Sequence, residues 1–264
     1  MNIRPQVKII NLALLLLFAA GCKSETESTQ PLTASTAAGT SAAPPASEVG
    51  QRNNGLARFI HAVPAMAATD LFVDDTKAFS NVTYKTITPY AEFPAARHIF
   101  RLRVAGQDSA QPLIEEDESL NKCGHHTVVA LPSAGTAIIA RNDGTSLLFI
   151  ADKIETPTAG KAKIRVVHAV PDLGALDIYL TGRSEALLES IDFGASSNYT
   201  EIEPFSGSLE VKRAGENVTT LSVPQMNIVA GKSYTVFVMG RTKGTANLEA
   251  LSVEDFLGAK PPQG

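Results

Sequence analysis

Two stretches of the chain repeat each other at a fixed distance, and this repeat constrains the fold more than any other feature. The first opens Ala57-Arg58-Phe59-Ile60-His61-Ala62-Val63-Pro64 and runs on to Asp70-Leu71-Phe72-Val73. The second opens Ile164-Arg165-Val166-Val167-His168-Ala169-Val170-Pro171 and runs on to Asp177-Ile178-Tyr179-Leu180, so that His, Pro and Asp recur at an offset of 107 residues. Further along, Phe100 to Gly106 answers Leu209 to Gly215, and Thr127-Val128-Val129-Ala130 answers Thr235-Val236-Phe237-Val238. A near-constant offset over such a span predicts two copies of one unit, joined near Thr156 to Lys161.

Within each copy the dominant period is two. Phe100, Leu102 and Val104 alternate with Arg101 and Arg103, and Leu209 and Val211 alternate with Glu210 and Lys212, the pattern of a half-buried strand. Other short β-branched or aromatic runs predict strands at 57–63, 70–73, 127–131, 136–141, 147–151, 164–170, 176–181, 219–223, 234–239 and 247–253. The run 136–141 closes on the turn signal Asn142-Asp143-Gly144. No helical face longer than about two turns follows residue 55. The expected fold is all-β: two tandem antiparallel β-sandwiches, immunoglobulin-like or prealbumin-like, with repeat 1 at 56–157 and repeat 2 at 161–256. Residues 257–264 are expected to form a flexible tail.

The segment before the repeats has its own logic. Arg4 and Lys8 precede an apolar run from Ile9 to Ala20, the layout of a secretory signal over 1–21. As a helix that run spans about 18 Å, well short of a bilayer core of about 30 Å. It ends Leu17-Phe18-Ala19-Ala20-Gly21-Cys22, which resembles a bacterial lipoprotein processing site, with Ala19 where Leu is commonest. The resemblance implies lipidation of Cys22 and a membrane anchor, because two or more acyl chains hold stably. In proteobacteria-like cells, Lys23 after that cysteine, where an inner-membrane retention signal would carry Asp, favours export to the outer membrane. Of the 33 residues from 23 to 55, 22 are Ser, Thr, Ala, Gly or Pro, so residues 22–55 read as a lipidated cysteine and a disordered tether.

The second copy also resembles a known family. Val166-Val167-His168-Ala169-Val170-Pro171-Asp172, followed by Leu176-Asp177-Ile178-Tyr179-Leu180, is similar to the opening of a bacterial cell-surface domain of unknown function. That domain often stands in tandem behind a lipoprotein or secretory signal. The first copy departs from it, with Ala65 where the second has Asp172. The resemblance implies architecture and location, and no activity.

Several residues invite chemistry. His61 with Asp70, and His168 with Asp177, could pair a base with its orienter. The favoured reading is structural: a strand ending at His-Ala, a turn fixed by Pro64 or Pro171, and an aspartate capping that turn, with Asp172 in the second copy. No nucleophile or third ligand recurs with the pair, so no catalytic residue, metal or cofactor is expected. Cys123-Gly124-His125-His126 holds soft-metal ligands without the paired spacing of a zinc site, and reads as a hairpin loop carrying a lone thiol. Gly231-Lys232-Ser233 lacks the upstream glycine of a phosphate loop, and Gly194-Ala195-Ser196-Ser197 lacks the second glycine of a nucleophile elbow. Glu115-Glu116-Asp117-Glu118 lacks calcium-loop spacing and reads as a solvated face. Acceptor tripeptides for glycans stand at Asn81, Asn198 and Asn217, where a bacterial lipoprotein gives no reason to expect them.

A net charge of −4 argues against nucleic acid as a partner. The expected protein is therefore a non-catalytic envelope lipoprotein, structural, adhesive or ligand-presenting. Its expected partners are the membrane, through its lipid, and an envelope protein or polysaccharide. One alternative is a secreted hydrolase or metal-dependent enzyme built on the repeated His and Asp. A second is a carbohydrate-binding module, disfavoured by 6% aromatics and the absence of Trp.

Overall fold

The computed structural model describes residues 53–133, 145–244 and 246–256. The signal segment, Cys22, the tether up to residue 52, the expected strand 136–141 with its turn, and the tail 257–264 lie outside the described residues. The described chain is all-β. Repeat 1 contains β1 (Asn54–His61), β2 (Thr69–Val73), β3 (Thr76–Val82), β4 (Ala91–Pro94), β5 (Arg97–Val104), β6 (Ile114–Ser119), β7 (His125–Leu131) and β8 (Ser146–Ala151). Repeat 2 contains β9 (Ala162–Ala169), β10 (Leu176–Leu180), β11 (Ala186–Ile191), β12 (Thr200–Ile202), β13 (Phe205–Arg213), β14 (Thr219–Ile228), β15 (Ser233–Met239) and β16 (Glu249–Asp255).

Each repeat is a sandwich of two four-stranded sheets with identical topology. Repeat 1 has an inner sheet β4-β1-β7-β8 and an outer sheet β3-β2-β5-β6. Repeat 2 has an inner sheet β12-β9-β15-β16 and an outer sheet β11-β10-β13-β14. One feature departs from the expected antiparallel pattern. β1 pairs with β7 in parallel, and β9 with β15 likewise. The strands between them cross to the outer sheet and back, and such a crossover returns the chain in the same direction.

The inner strands explain themselves by burial. β9 is buried at every position, as are β15 and nearly all of β1 and β7. A strand covered on both faces loses its apolar-polar alternation. Ala57 and Phe59 pack into the core of repeat 1, whereas Ile60 and Ala62 face the other way. Ile164 and Val166 pack into the core of repeat 2, whereas Val167 and Ala169 face the other way. Those second faces meet in a third core that also takes in Val129, Leu131, Ile150, Phe237 and Met239. The two inner sheets therefore pack on each other, and the described residues form one compact unit.

The outer strands follow the half-buried rule. Along β5, His98, Phe100 and Leu102 are buried while Arg97, Ile99, Arg101 and Arg103 are not. The acidic run lies on β6, beside β5, where Glu115 accepts from Arg101 at 2.7 Å and Asp117 pairs with Arg97. These exposed cross-strand pairs each contribute under about 1 kcal/mol.

Candidate functional site: the repeated motif and the seam

The histidines of the repeated motif fold back on their own backbone. β1 ends at His61, whose ring is fully buried. Its Nδ1 accepts the Val63 N–H at 3.2 Å, and its Nε2 donates to the Ala67 carbonyl at 3.2 Å. His168 repeats this with the Val170 N–H at 3.2 Å and the Gly174 carbonyl at 2.7 Å. Each ring thereby pins the turn that Pro64 or Pro171 begins. An accepting Nδ1 fixes the neutral imidazole, and burial lowers both pKa values.

Asp70 and Asp177 do not touch these histidines. The Asp70 carboxylate accepts the Asn81 N–H at 2.7 Å and the Gly106 N–H at 3.1 Å, and Lys77 lies 2.8 Å away. Asp177 accepts the Ser190 N–H at 2.8 Å and the Gly215 N–H at 3.2 Å. All four donors stand at positive φ, from 51° to 77°. Each aspartate thus satisfies two left-handed residues, one at an irregularity in β3 or β11 and one in the turn after β5 or β13. The turn these aspartates hold is not the Pro turn that the sequence assigns them to. Asp172, half-buried, accepts from the Thr242 N–H at 3.0 Å and the Thr242 hydroxyl at 2.8 Å, tying the Pro171 turn to the loop after β15.

His98 is the opposite case. Its Nδ1 faces Asp74 at 2.8 Å and its Nε2 faces the Pro94 carbonyl at 2.8 Å, so both nitrogens donate and the ring is an imidazolium. Burial works against that charge, but the Pro94 carbonyl and Asp74 together outweigh it and raise the pKa above 6.5. His126, accepting the Asn121 N–H at 3.1 Å, is lowered by burial. The pH dependences therefore have opposite signs. The contribution of His98 is fully present below pH 6.5 and is lost as pH rises through its folded pKa. Those of His61, His126 and His168 are present above pH 6.5 and are lost as pH falls towards their folded values. An NMR titration is expected to place His98 above 6.5 and the other three below it. His98 titrating below 6.5 would contradict the doubly donating ring.

The seam carries a network that the sequence reading passed over. Arg58 on β1 and Arg165 on β9 are buried to 3% and 2% exposure on the face where the repeats meet. Arg58 donates to Asp255 of repeat 2 at 2.6 Å, and Arg165 donates to Asp152 of repeat 1. Asp152 also accepts from the hydroxyls of Thr127 and Tyr90, each at 2.7 Å. Asp255 accepts from Thr235 at 2.6 Å and Tyr199 at 2.8 Å. The guanidinium carbons of Arg58 and Arg165 lie 4.8 and 4.6 Å from the ring centres of Tyr90 and Tyr199. The arrangement is reciprocal: each repeat gives an arginine to the other and takes one back. Burial lowers the arginine pKa values less than the carboxylates and tyrosines around them raise them, so both stay charged. The signal in the sequence is an arginine kept at offset 107 inside an otherwise apolar strand.

Beside Arg165 and Tyr199 the seam opens into a polar cleft of about 310 Å³. Lys153, Glu155, Lys163 and residues 196–198 line it. The cluster at 123–126 does not line it: His126 accepts from the Asn121 N–H, and His125 packs edge-on to Tyr90 at 5.2 Å. Among the described residues no group of three or more His, Cys, Asp or Glu is placed to hold a metal ion. Cys123 is not a lone thiol but is disulfide-bonded, at a turn position with φ 56°.

No curated protein matches the chain. A solved chain described as a "putative cell adhesion protein" from Bacteroides fragilis is similar at 12% identity, covering 82% of this chain and 92% of that one. Its TM-score is 0.20, so the likeness carries no argument about function. The repeated His-Ala-Val-Pro opening and the matching topology of the two halves agree with a family match that covers both, over residues 55–179 and again over 162–264. The chain belongs to the family described as a domain of unknown function, DUF4397.

Proposed function

We propose that the chain is a bacterial envelope lipoprotein, exported through residues 1–21, acylated on Cys22 and held off the membrane by the tether 23–55. It presents a paired β-unit as a non-catalytic structural, adhesive or ligand-binding module. The observation that carries the non-catalytic reading is the commitment of His61, His168, Asp70 and Asp177 to backbone groups. A general base must reach a substrate proton, and these rings and carboxylates are occupied. The seam adds support, because a unit locked by buried ion pairs suits a module that bears load or presents a fixed face. Among the described residues no helix is long and apolar enough to cross a membrane. In this reading the anchor is the lipid.

The anchor is tested by labelling with a fatty-acid probe. The wild-type chain is expected to carry label and Cys22→Ala to carry none, and equal labelling of the two overturns the anchor. Intact mass gives a second reading: the acylated chain is expected to exceed Cys22→Ala by the mass of its acyl groups.

A further inference from the structure

The near-symmetry of the seam generates two equivalent positions, and comparing them separates what holds the repeats together from what does something else. Arg165 and Tyr199 line the cleft, and Arg58 and Tyr90 stand at the equivalent place in repeat 1, all four within the ion-pair network. Ser197 accepts the Val166 N–H at 3.0 Å, as Thr88 accepts the Phe59 N–H at 2.8 Å, so that hydroxyl is structural too. Three lining residues have no such counterpart. Lys163 answers Leu56, Ser196 answers Ile87, and Asn198 answers Pro89, an alignment fixed by the matching bridges Val167–Ser196 and Ile60–Ile87. Repeat 1 shows that the fold closes with apolar groups at all three places. Repeat 2 puts a cation, a hydroxyl and an amide there.

Lys163 reveals what the cleft accepts. Its side chain is only 10% exposed; the carboxylate it pairs with directly is Glu155 at 3.0 Å, whose own side chain is 76% exposed, while Glu201, opposite it on β12, acts from further off. Glu155 sits on the strandless link between β8 and β9. It is a tethered, solvated carboxylate that a better-placed one can displace at small cost. Arg165 is spent on Asp152, so among the lining side chains Lys153 and Lys163 outnumber Glu155 by one, with Glu201 beside Lys163 but outside the lining. Ile150, Ala151 and the Tyr199 ring supply the apolar lining, too little for an acyl chain or a hydrophobic peptide. The volume lies at the small end of ligand sites and admits one small polar molecule.

We propose that this cleft binds one uronic-acid unit of an acidic saccharide, with its carboxylate on Lys163 in place of Glu155 and its hydroxyls on Ser196 and Asn198. This rests on the ligand-binding part of the reading above. It is independent of the anchor, because titration and lipid labelling read different things. The test is calorimetric titration of the full-length chain in detergent with D-galacturonate, D-galactose and acetate. Saturable binding of galacturonate is expected, with galactose and acetate each at least about tenfold weaker, since each lacks one half of the recognition. Lys163→Leu, which installs the residue of the other repeat, is expected to weaken galacturonate about tenfold or more. Glu155→Ala removes the internal competitor at an exposed position and is expected to tighten binding several-fold, an outcome that a merely structural role would not produce. Absence of saturable binding in both wild type and Glu155→Ala overturns the proposal. So does equal affinity for galactose, acetate binding as tight as galacturonate, or weakening by Glu155→Ala.

Discussion

Asp152→Ala is expected to destabilise the fold by about 3–5 kcal/mol, because it strands the buried Arg165 guanidinium without its carboxylate. The loss reaches beyond one ion pair: the hydroxyls of Thr127 and Tyr90 lose their acceptor as well. Asp255→Ala is expected to cost a similar amount by stranding Arg58, Thr235 and Tyr199 in the mirror arrangement. The pair itself is a different quantity. Two charges taken out of water give back most of their attraction as desolvation, so Asp152→Leu combined with Arg165→Met is expected to recover most of the single-variant loss. Denaturant unfolding of the four members of that cycle measures the coupling. A double variant no more stable than Asp152→Ala alone would show that the network does more than satisfy its own charges. Asp152 is held as the anion: burial would raise its pKa, but Arg165 and Arg58 lower it further than burial raises it. Its contribution is present above the unfolded aspartate value and is lost as pH falls through the folded one.

What could be read from the residues depended on how local the cause was. Alternation along Phe100, Leu102 and Val104 is set by one strand and its own sheet face, and it marks β5 directly. β6 hides behind four consecutive acidic residues because its partners, Arg97 and Arg101, lie on another strand. β3, β4, β11 and β12 escape because they are short, irregularly paired or end in proline. The parallel pairing of β1 with β7 depends on contacts some 70 residues apart, which no local period encodes. The seam is intermediate. Its ingredients repeat in the sequence as Arg58 and Arg165, Tyr90 and Tyr199, and Asp152 and Asp255. The His-Pro-Asp spacing draws attention first, yet His61 and Asp70 each serve a turn, and the arginine three places before each histidine joins the repeats. An arginine in an apolar run is the legible sign, since such a side chain is almost never buried unpaired. The identity of its carboxylate partner, in the other repeat, is not local and so could not be read.

The seam also sets how the chain unfolds. Phe237 is fully buried, in the core shared by the two inner sheets rather than in the core of its own sandwich. Phe237→Ala is expected to cost about 3–5 kcal/mol, the transfer of the ring plus the cavity left among Ile60, Val129, Val167 and Met239. Were the repeats independent, that loss would fall on repeat 2 alone. Because each inner sheet needs the other to cover its second face, the loss is expected to appear in both. Native-state hydrogen exchange reads this residue by residue. The amides of β5 in repeat 1 and of β13 in repeat 2 lie in the two outer sheets, remote in sequence from the substitution. Both sets are expected to lose protection by the same free energy in Phe237→Ala. Phe100→Ala supplies the converse, since Phe100 lies in the core of repeat 1 and away from the seam. It too is expected to lower protection in β13, because repeat 2 with its partner gone exposes Phe237, Met239 and the apolar side of β9, and leaves Arg165 without Asp152. If protection in β13 survives Phe100→Ala while β5 loses it, the two sandwiches fold separately and the seam only docks them.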